Sequence, residues 1–209
     1  MMYLASRLRL LSGSEYFIMI HLDNSLLIGK GTQRSCYRHP SKPEYCIKIF
    51  HAWSKNNRRS CLREIKYLKR YKSSPIDLHL IPNYYGTTIT NFGTGYVFER
   101  IKDWDGSDSE NLSDYLIENS NKKEVGLLIT KMYKTFFNKK AIVSDLHPGN
   151  ILVQKKDSKF DISLILVDGF GNSDLIKICD YSDIFMKKKL IRKFIRLKKK
   201  LGLTYDDIT

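Results

Sequence analysis

A chain of 209 residues is long enough to bury a full core, either as one domain or as two small lobes around a cleft. Hydrophobic content of 42% and aromatic content of 12% exclude a disordered chain, and a formal net charge of +14 favours anionic partners: nucleotides, nucleic acid, acidic proteins or an anionic membrane surface. Cys36, Cys46, Cys61 and Cys179 form no C-x-x-C pair and no Cys/His cluster, which argues against a zinc site or a disulfide framework. With no apolar run long enough to span a bilayer and no leader with a cleavage site, the expected setting is cytoplasmic, with reduced thiols.

Residues 1–18 read as an N-terminal extension, because Met19 opens a new apolar run. From Ile18 to Ile28 the pattern predicts a strand, a turn at Asp23-Asn24 and a second strand that runs into Gly29-Lys30-Gly31-Thr32. A strand feeding G-x-G lets backbone N–H groups approach phosphates without a Cβ in the way, although a tight hairpin turn also uses two glycines. In Tyr45–Phe50, alternation places Cys46, Lys48 and Phe50 on one face and Ile47 and Ile49 on the other. Residues 58–72 form a helical stretch with Cys61, Ile65, Leu68 and Tyr71 at helical spacing and Glu64 on or beside that apolar face. A buried carboxylate needs a partner, and Lys48 is the obvious one.

Pro82–Gly86 reads as a turn, and strands are expected over Thr87–Thr90 and Thr94–Arg100 around Asn91-Phe92-Gly93. The polar, Asp- and Ser-rich segment 103–111 suits a hinge between lobes, and Leu112–Leu116 opens a short helix. Val125, Leu128, Ile129, Met132 and Phe136 mark a core helix over 122–138.

The stretch Val143 to Val153, V-S-D-L-H-P-G-N-I-L-V, carries the densest chemistry. Asp145, His147 and Asn150 stand between apolar runs expected to be two buried strands, Ile142-Val143 and Ile151–Val153, with a turn at Pro148-Gly149 that brings Asp145 and Asn150 onto one site. A phosphoryl-transfer centre needs that pair, a carboxylate for the attacking hydroxyl and an oxygen ligand for a metal. After a polar connection over Gln154–Ser163, the buried strand Leu164–Val167 ends at Asp168-Gly169-Phe170-Gly171, which places Asp168 like a metal ligand. The last element, Met186–Leu201, is a basic amphipathic helix with Met186, Leu190, Phe194, Leu197 and Leu201 on one side and no acidic residue. Such a helix packs on its own domain, or meets an anionic membrane surface, nucleic acid, or an acidic partner or substrate.

Together, Gly29 and Gly31, Lys48, Glu64, Asp145 with Asn150, and Asp168 occur in the order and approximate spacing of a protein-kinase-like fold. The string D-L-H-P-G-N is closer to the loop of the small-molecule kinases related to them. From about Met19 to the last helix the chain resembles the bacterial YrbL family, the PhoP regulatory network proteins. The supporting strings are L-I-G-K-G-T-Q-R-S-C-Y-R-H-P, C-I-K-I-F, R-E-I-K-Y-L, G-T-G-Y-V-F and N-I-L-V, with the final basic helix.

The resemblance implies an α+β, two-lobed kinase-like fold: an antiparallel-sheet N-lobe over residues 19–101 and a small, mainly helical C-lobe over 102–209. It also implies ATP between the lobes. The Gly29–Gly31 loop would cover the phosphates, Lys48 held by Glu64 would contact the α and β groups, and Asn150 and Asp168 would hold Mg²⁺. Asp145 would orient or deprotonate an acceptor hydroxyl and His147 would contact the γ-phosphate. Arg34 stands where a third loop glycine is expected, and His147 where protein kinases carry a lysine. Residues 172–209 are too few for a full activation segment and substrate-docking helices, which points away from a conventional protein kinase. The rival readings are a pseudokinase acting through a partner and a basic nucleic-acid-binding protein, the second without any RNA motif or helix-turn-helix pattern behind it.

Overall fold

The computed structural model describes residues 19–51, 55–72, 79–119, 122–157, 161–172 and 178–203; the expected extension over residues 1–18 lies outside them, as do residues 158–160 of the polar connection after the central loop. The chain divides into two compact units, one of residues 1–57 and 84–100, the other of residues 58–83 and 101–209.

The first unit is a five-stranded antiparallel sheet in the order β1-β2-β3-β5-β4, from β1 (Leu27–Lys30), β2 (Arg34–Arg38), β3 (Tyr45–Phe50), β4 (Tyr84–Thr90) and β5 (Gly93–Glu99). Alternation along β3 sends Ile47 and Ile49 into a core with Leu22, Tyr37 and Val97. Lys48 is opposite Cys36 on β2 and Tyr96 on β5, which puts it in the middle strand of the sheet.

The strand expected before Asp23 does not form. Ile20 makes a single parallel bridge to Thr90, and the backbone of Leu22 is satisfied by the Asn91 side chain, whose Oδ1 accepts from Leu22 N–H at 2.8 Å while its Nδ2 donates to Leu22 O at 2.9 Å. A carboxamide thus does the work of a neighbouring strand. Asp23 then caps a short 3₁₀ turn, Asn24–Leu26. The turn expected at Pro82–Gly86 is also displaced: Tyr84 to Gly86 already belong to β4, with a register shift between Tyr84 and Gly86 that Gly86 accommodates at φ +116°.

The second unit contains α1 (Lys55–Lys72) from Arg58 onward, β6 (Glu110–Asn111), α2 (Leu112–Glu118), α3 (Lys122–Asn138), β7 (Ile151–Lys155), β8 (Ile162–Leu166), α4 (Ile178–Tyr181) and α5 (Asp183–Leu201). β6, β7 and β8 make a three-stranded antiparallel sheet. Helix α2 starts at Asn111, whose side chain accepts from Ser113 N–H and Asp114 N–H. On α3, Val125, Ile129, Met132 and Phe136 are fully buried as their spacing requires, and Leu128 is half-buried. All five apolar residues expected on one side of α5 are buried, and Phe194 packs its ring against Tyr133 and Phe136 of α3.

Asp103 is buried and accepts from Ser109 Oγ at 2.5 Å and from Lys155 N–H at 3.0 Å, so the polar composition builds a bonded corner of the second unit. No helix of the described residues is long and apolar enough to cross a membrane.

Candidate functional site

In the first unit, Gly29 lies on β1 and Gly31 in the turn that follows, closed by a hydrogen bond from Gly31 N–H to Arg34 O at 2.8 Å. A Cβ added at Gly29 would meet nothing within 4 Å, and at Gly31 only the Arg34 carbonyl at 3.5 Å, so the space above both glycines is open. Lys48 is buried, and its ammonium stands 4.6 Å from the centre of the Phe98 ring, a cation–π contact.

In the second unit, Glu64 is buried on α1. The remaining expected residues converge on one short stretch of backbone. Instead of forming a strand, Ile142-Val143 contributes one bridge, Val143 to Phe170, and Ile142 O accepts from Gly171 N–H at 2.8 Å. The Tyr71 hydroxyl on α1 supplies what a partner strand would: it accepts from Ile142 N–H at 2.6 Å and donates to Ile142 O at 3.2 Å. Burial holds the Tyr71 phenol above its ordinary range, so it remains a donor.

Gly169 is the joint between the two acidic segments. Its carbonyl accepts from Ser144 N–H at 2.8 Å, Ser144 Oγ at 2.9 Å and Asp145 N–H at 3.2 Å. Its φ is +84°, and a Cβ there would lie 2.3 Å from the Asp145 carbonyl oxygen. A glycine is therefore required for Asp168 and Asp145 to stand on neighbouring backbone. Asp168 is half-buried, and its Oδ1 accepts from Gly169 N–H at 2.6 Å.

Asn150 ends a 3₁₀ turn, Pro148–Asn150, and its Nδ2 donates to Asp145 Oδ2 at 3.1 Å and to Asp145 O at 3.3 Å. With the amide nitrogen committed to Asp145, the Asn150 carbonyl oxygen is the end left to meet a hard cation. His147 caps the same turn, its Nδ1 accepting from Gly149 N–H at 3.1 Å. The neutral ring then carries its proton on Nε2, as a donor.

Lysines of α5, for which no local sequence signal exists, complete the surroundings. Lys193 Nζ donates to the carbonyl of Ser144, beside Asp145, and Lys189 Nζ donates to Asn172 Oδ1 at 3.0 Å. Burial lowers the Lys193 pKa while the negative charge of Asp145 opposes that shift.

Asp145 and Asn150 are thus joined side chain to side chain, Asp168 immediately precedes the glycine whose carbonyl binds Asp145 N–H, and His147 caps the turn that ends at Asn150. Among the described residues, no three His, Cys, Asp or Glu side chains converge as metal ligands. A divalent ion here would be held by few side chains together with oxygens of its substrate, an all-oxygen donor set of the kind that suits Mg²⁺.

Comparison with known proteins bears on family and fold. A family model described as PhoP regulatory network protein YrbL matches residues 20–202. Two curated proteins called uncharacterized protein YrbL, from Escherichia coli (strain K12) and Shigella flexneri, are each 32% identical over 183 residues, spanning 85% of this chain and 87% of theirs. Among solved structures, a crystallised kinase domain superposes with a TM-score of 0.51 at 17% identity over 75% of this chain. The chain spans only 57% of that domain. The architecture is therefore a kinase-like α+β fold with an antiparallel-sheet N-lobe and a reduced, mainly helical C-lobe.

Proposed function

Because the chain belongs to the PhoP regulatory network protein YrbL family and has a kinase-like fold, we propose that it binds Mg·ATP and transfers the γ-phosphate to a hydroxyl acceptor. The observation that carries this reading is the Gly169 joint, which holds Asp145 and Asp168 on adjoining backbone with Asn150 bonded to Asp145. Structural turns do not need two acids and a carboxamide in that relation.

In this reading Asn150, through Oδ1, and Asp168 hold Mg²⁺, which when bound neutralises charge on the phosphates. Asp145 is exposed; it orients the acceptor hydroxyl and takes its proton as the oxygen attacks phosphorus and ADP departs. His147 donates from Nε2 to the transferred phosphate, and Lys48 contacts the α- and β-phosphates with Glu64 as its counter-charge. At the Gly29–Gly31 turn no Cβ of either glycine stands in the way of phosphate oxygens that approach the backbone.

The test is calorimetric titration of ATP with and without Mg²⁺, on the wild type and on Asp168→Asn, alongside transfer of labelled γ-phosphate to a panel of hydroxyl compounds. Metal-dependent binding lost in Asp168→Asn is expected, with Asp145→Asn lowering turnover by about 10²–10⁴-fold while ATP still binds. Equal ATP binding by wild type and Asp168→Asn would overturn the assignment. Metal-dependent binding without transfer to any acceptor would identify a pseudokinase.

A further inference from the structure

The inner face of α5 is used up in packing, so the helix's outer face is free to be judged by itself. From Ile184 to Lys200 the exposed positions are Ile184, Phe185, Lys188, Ile191, Arg192, Ile195, Arg196, Lys199 and Lys200. Every one is either a large apolar residue or a cation. A solvated helix face ordinarily mixes both signs of charge with neutral polar residues, and here neither an acid nor a neutral polar group appears.

The apolar members are far from buried: Ile184 is 66% exposed, Phe185 52%, Ile191 39% and Ile195 47%. Ile184, Ile191 and Ile195 are seven and four residues apart, so they form one stripe about 16 Å long, with Lys188, Arg192 and Lys199 beside it. Exposed Ile178 and Tyr181 of α4 immediately precede the stripe. Among the described residues, the acids just before the stripe in sequence are engaged elsewhere: Asp183 pairs with Lys140 at 2.5 Å, and Asp180 accepts from the Tyr67 hydroxyl at 2.6 Å.

We propose that the outer face of α5 docks onto an anionic lipid bilayer, with Ile184, Ile191 and Ile195 entering the acyl boundary and Lys188, Arg192, Arg196 and Lys199 meeting lipid phosphates. The charge identifies the occupant. A second copy of the chain would bring one cationic face against another. The N-terminal residues 1–18 carry Arg7 and Arg9 against a single acid, Glu15, so they offer no complement either. An anionic surface that also accepts apolar side chains satisfies both halves of the pattern, as in interfacial helices that lie in the headgroup plane. The proposal stands independently of whether phosphate is transferred.

Flotation of the full chain with phosphatidylcholine vesicles, and with vesicles containing about one-third phosphatidylglycerol, tests it. The expected result is binding to the phosphatidylglycerol vesicles alone. Ile191→Ser/Ile195→Ser, at exposed positions and with the charge intact, should weaken it about tenfold, and Lys188→Gln/Arg192→Gln should weaken it by a similar factor. Circular dichroism establishes that each variant is folded. Absence of vesicle binding would overturn the proposal, and so would binding untouched by the isoleucine change, which is mere adhesion of a basic protein. Binding to polyglutamate but not to vesicles would assign the face to an acidic protein. Sedimentation showing a dimer that Ile191→Ser/Ile195→Ser dissolves would assign it to a second copy.

Discussion

At Gly29 a Cβ would meet nothing within 4 Å, whereas at Gly169 it would lie 2.3 Å from a carbonyl oxygen and at Gly171 2.5 Å from the Tyr67 ring. Gly169 and Gly171 also hold φ values of +84° and +91°, which side-chain-bearing residues rarely adopt, and the turn of the first unit imposes no such backbone. In the second unit, glycine answers to the protein's own atoms. At the Gly29–Gly31 turn of the first unit the folded chain makes no such demand, since a Cβ at either position would overlap nothing. Two stretches that look alike in sequence, G-K-G and D-G-F-G, therefore constrain the molecule in different ways.

The sharpest way to break the contrast is Gly169→Ala. Positive φ and overlap with Asp145 together should cost about 3–5 kcal/mol, read as a fall in urea midpoint. A stable Gly169→Ala protein would mean the joint yields easily, and with it the argument that the two acids are held by design of the backbone.

Next is Tyr71→Phe, which leaves Ile142 N–H and C=O without their hydroxyl partner and should cost about 1–3 kcal/mol. The same tyrosine gives a pH signature. Burial raises the Tyr71 phenol above its ordinary 10.0, and Tyr67 is raised by burial and by its bond to Asp180. The folded state keeps protons that the unfolded chain releases near pH 10, so this stability is complete below that pH and is lost as pH rises above it. Thermal melts of wild type should fall steeply above pH 10, and Tyr71→Phe should fall less steeply; parallel curves would remove Tyr71 from the account.

The smallest expected change to the fold is at Gly29→Ala and Gly31→Ala, each within about 0.5 kcal/mol of wild type in urea. On the proposed function both should nevertheless weaken ATP by several-fold in calorimetry. Loss of stability without loss of nucleotide affinity would reverse the contrast between the two loops.

Much of the fold was legible because it follows local periodicity. The apolar residues of α3 and α5 recur at helical spacing, and β3 alternates, so their faces could be assigned residue by residue. Glu64 was expected on or beside an apolar face and is buried. What escaped depended on remote partners. The segment before Asp23 has strand-like composition, yet Asn91, far along the chain, satisfies Leu22 with a side chain. Ile142-Val143 looks like a buried strand, and its ladder is replaced by Tyr71 and a single bridge. In the polar run at 103–111, composition cannot reveal that Asp103 will be buried with Ser109 and Lys155 N–H. The acids of the candidate site could be read from motif spacing, but Lys193 could not, since it reaches Ser144 from 49 residues away.

Each hydrogen bond that the Gly169 carbonyl accepts comes from Ser144 or Asp145, and the two backbone N–H donors among them are indifferent to side-chain identity. Over evolutionary time the frame around the cluster can therefore outlast its acids. A descendant that exchanged Asp145 or Asp168 for a neutral residue would keep the joint so long as Gly169 remained. Among relatives, the shape of this loop then records common descent, and on the proposed function the identities at 145, 150 and 168 would tell phosphate transfer from its loss.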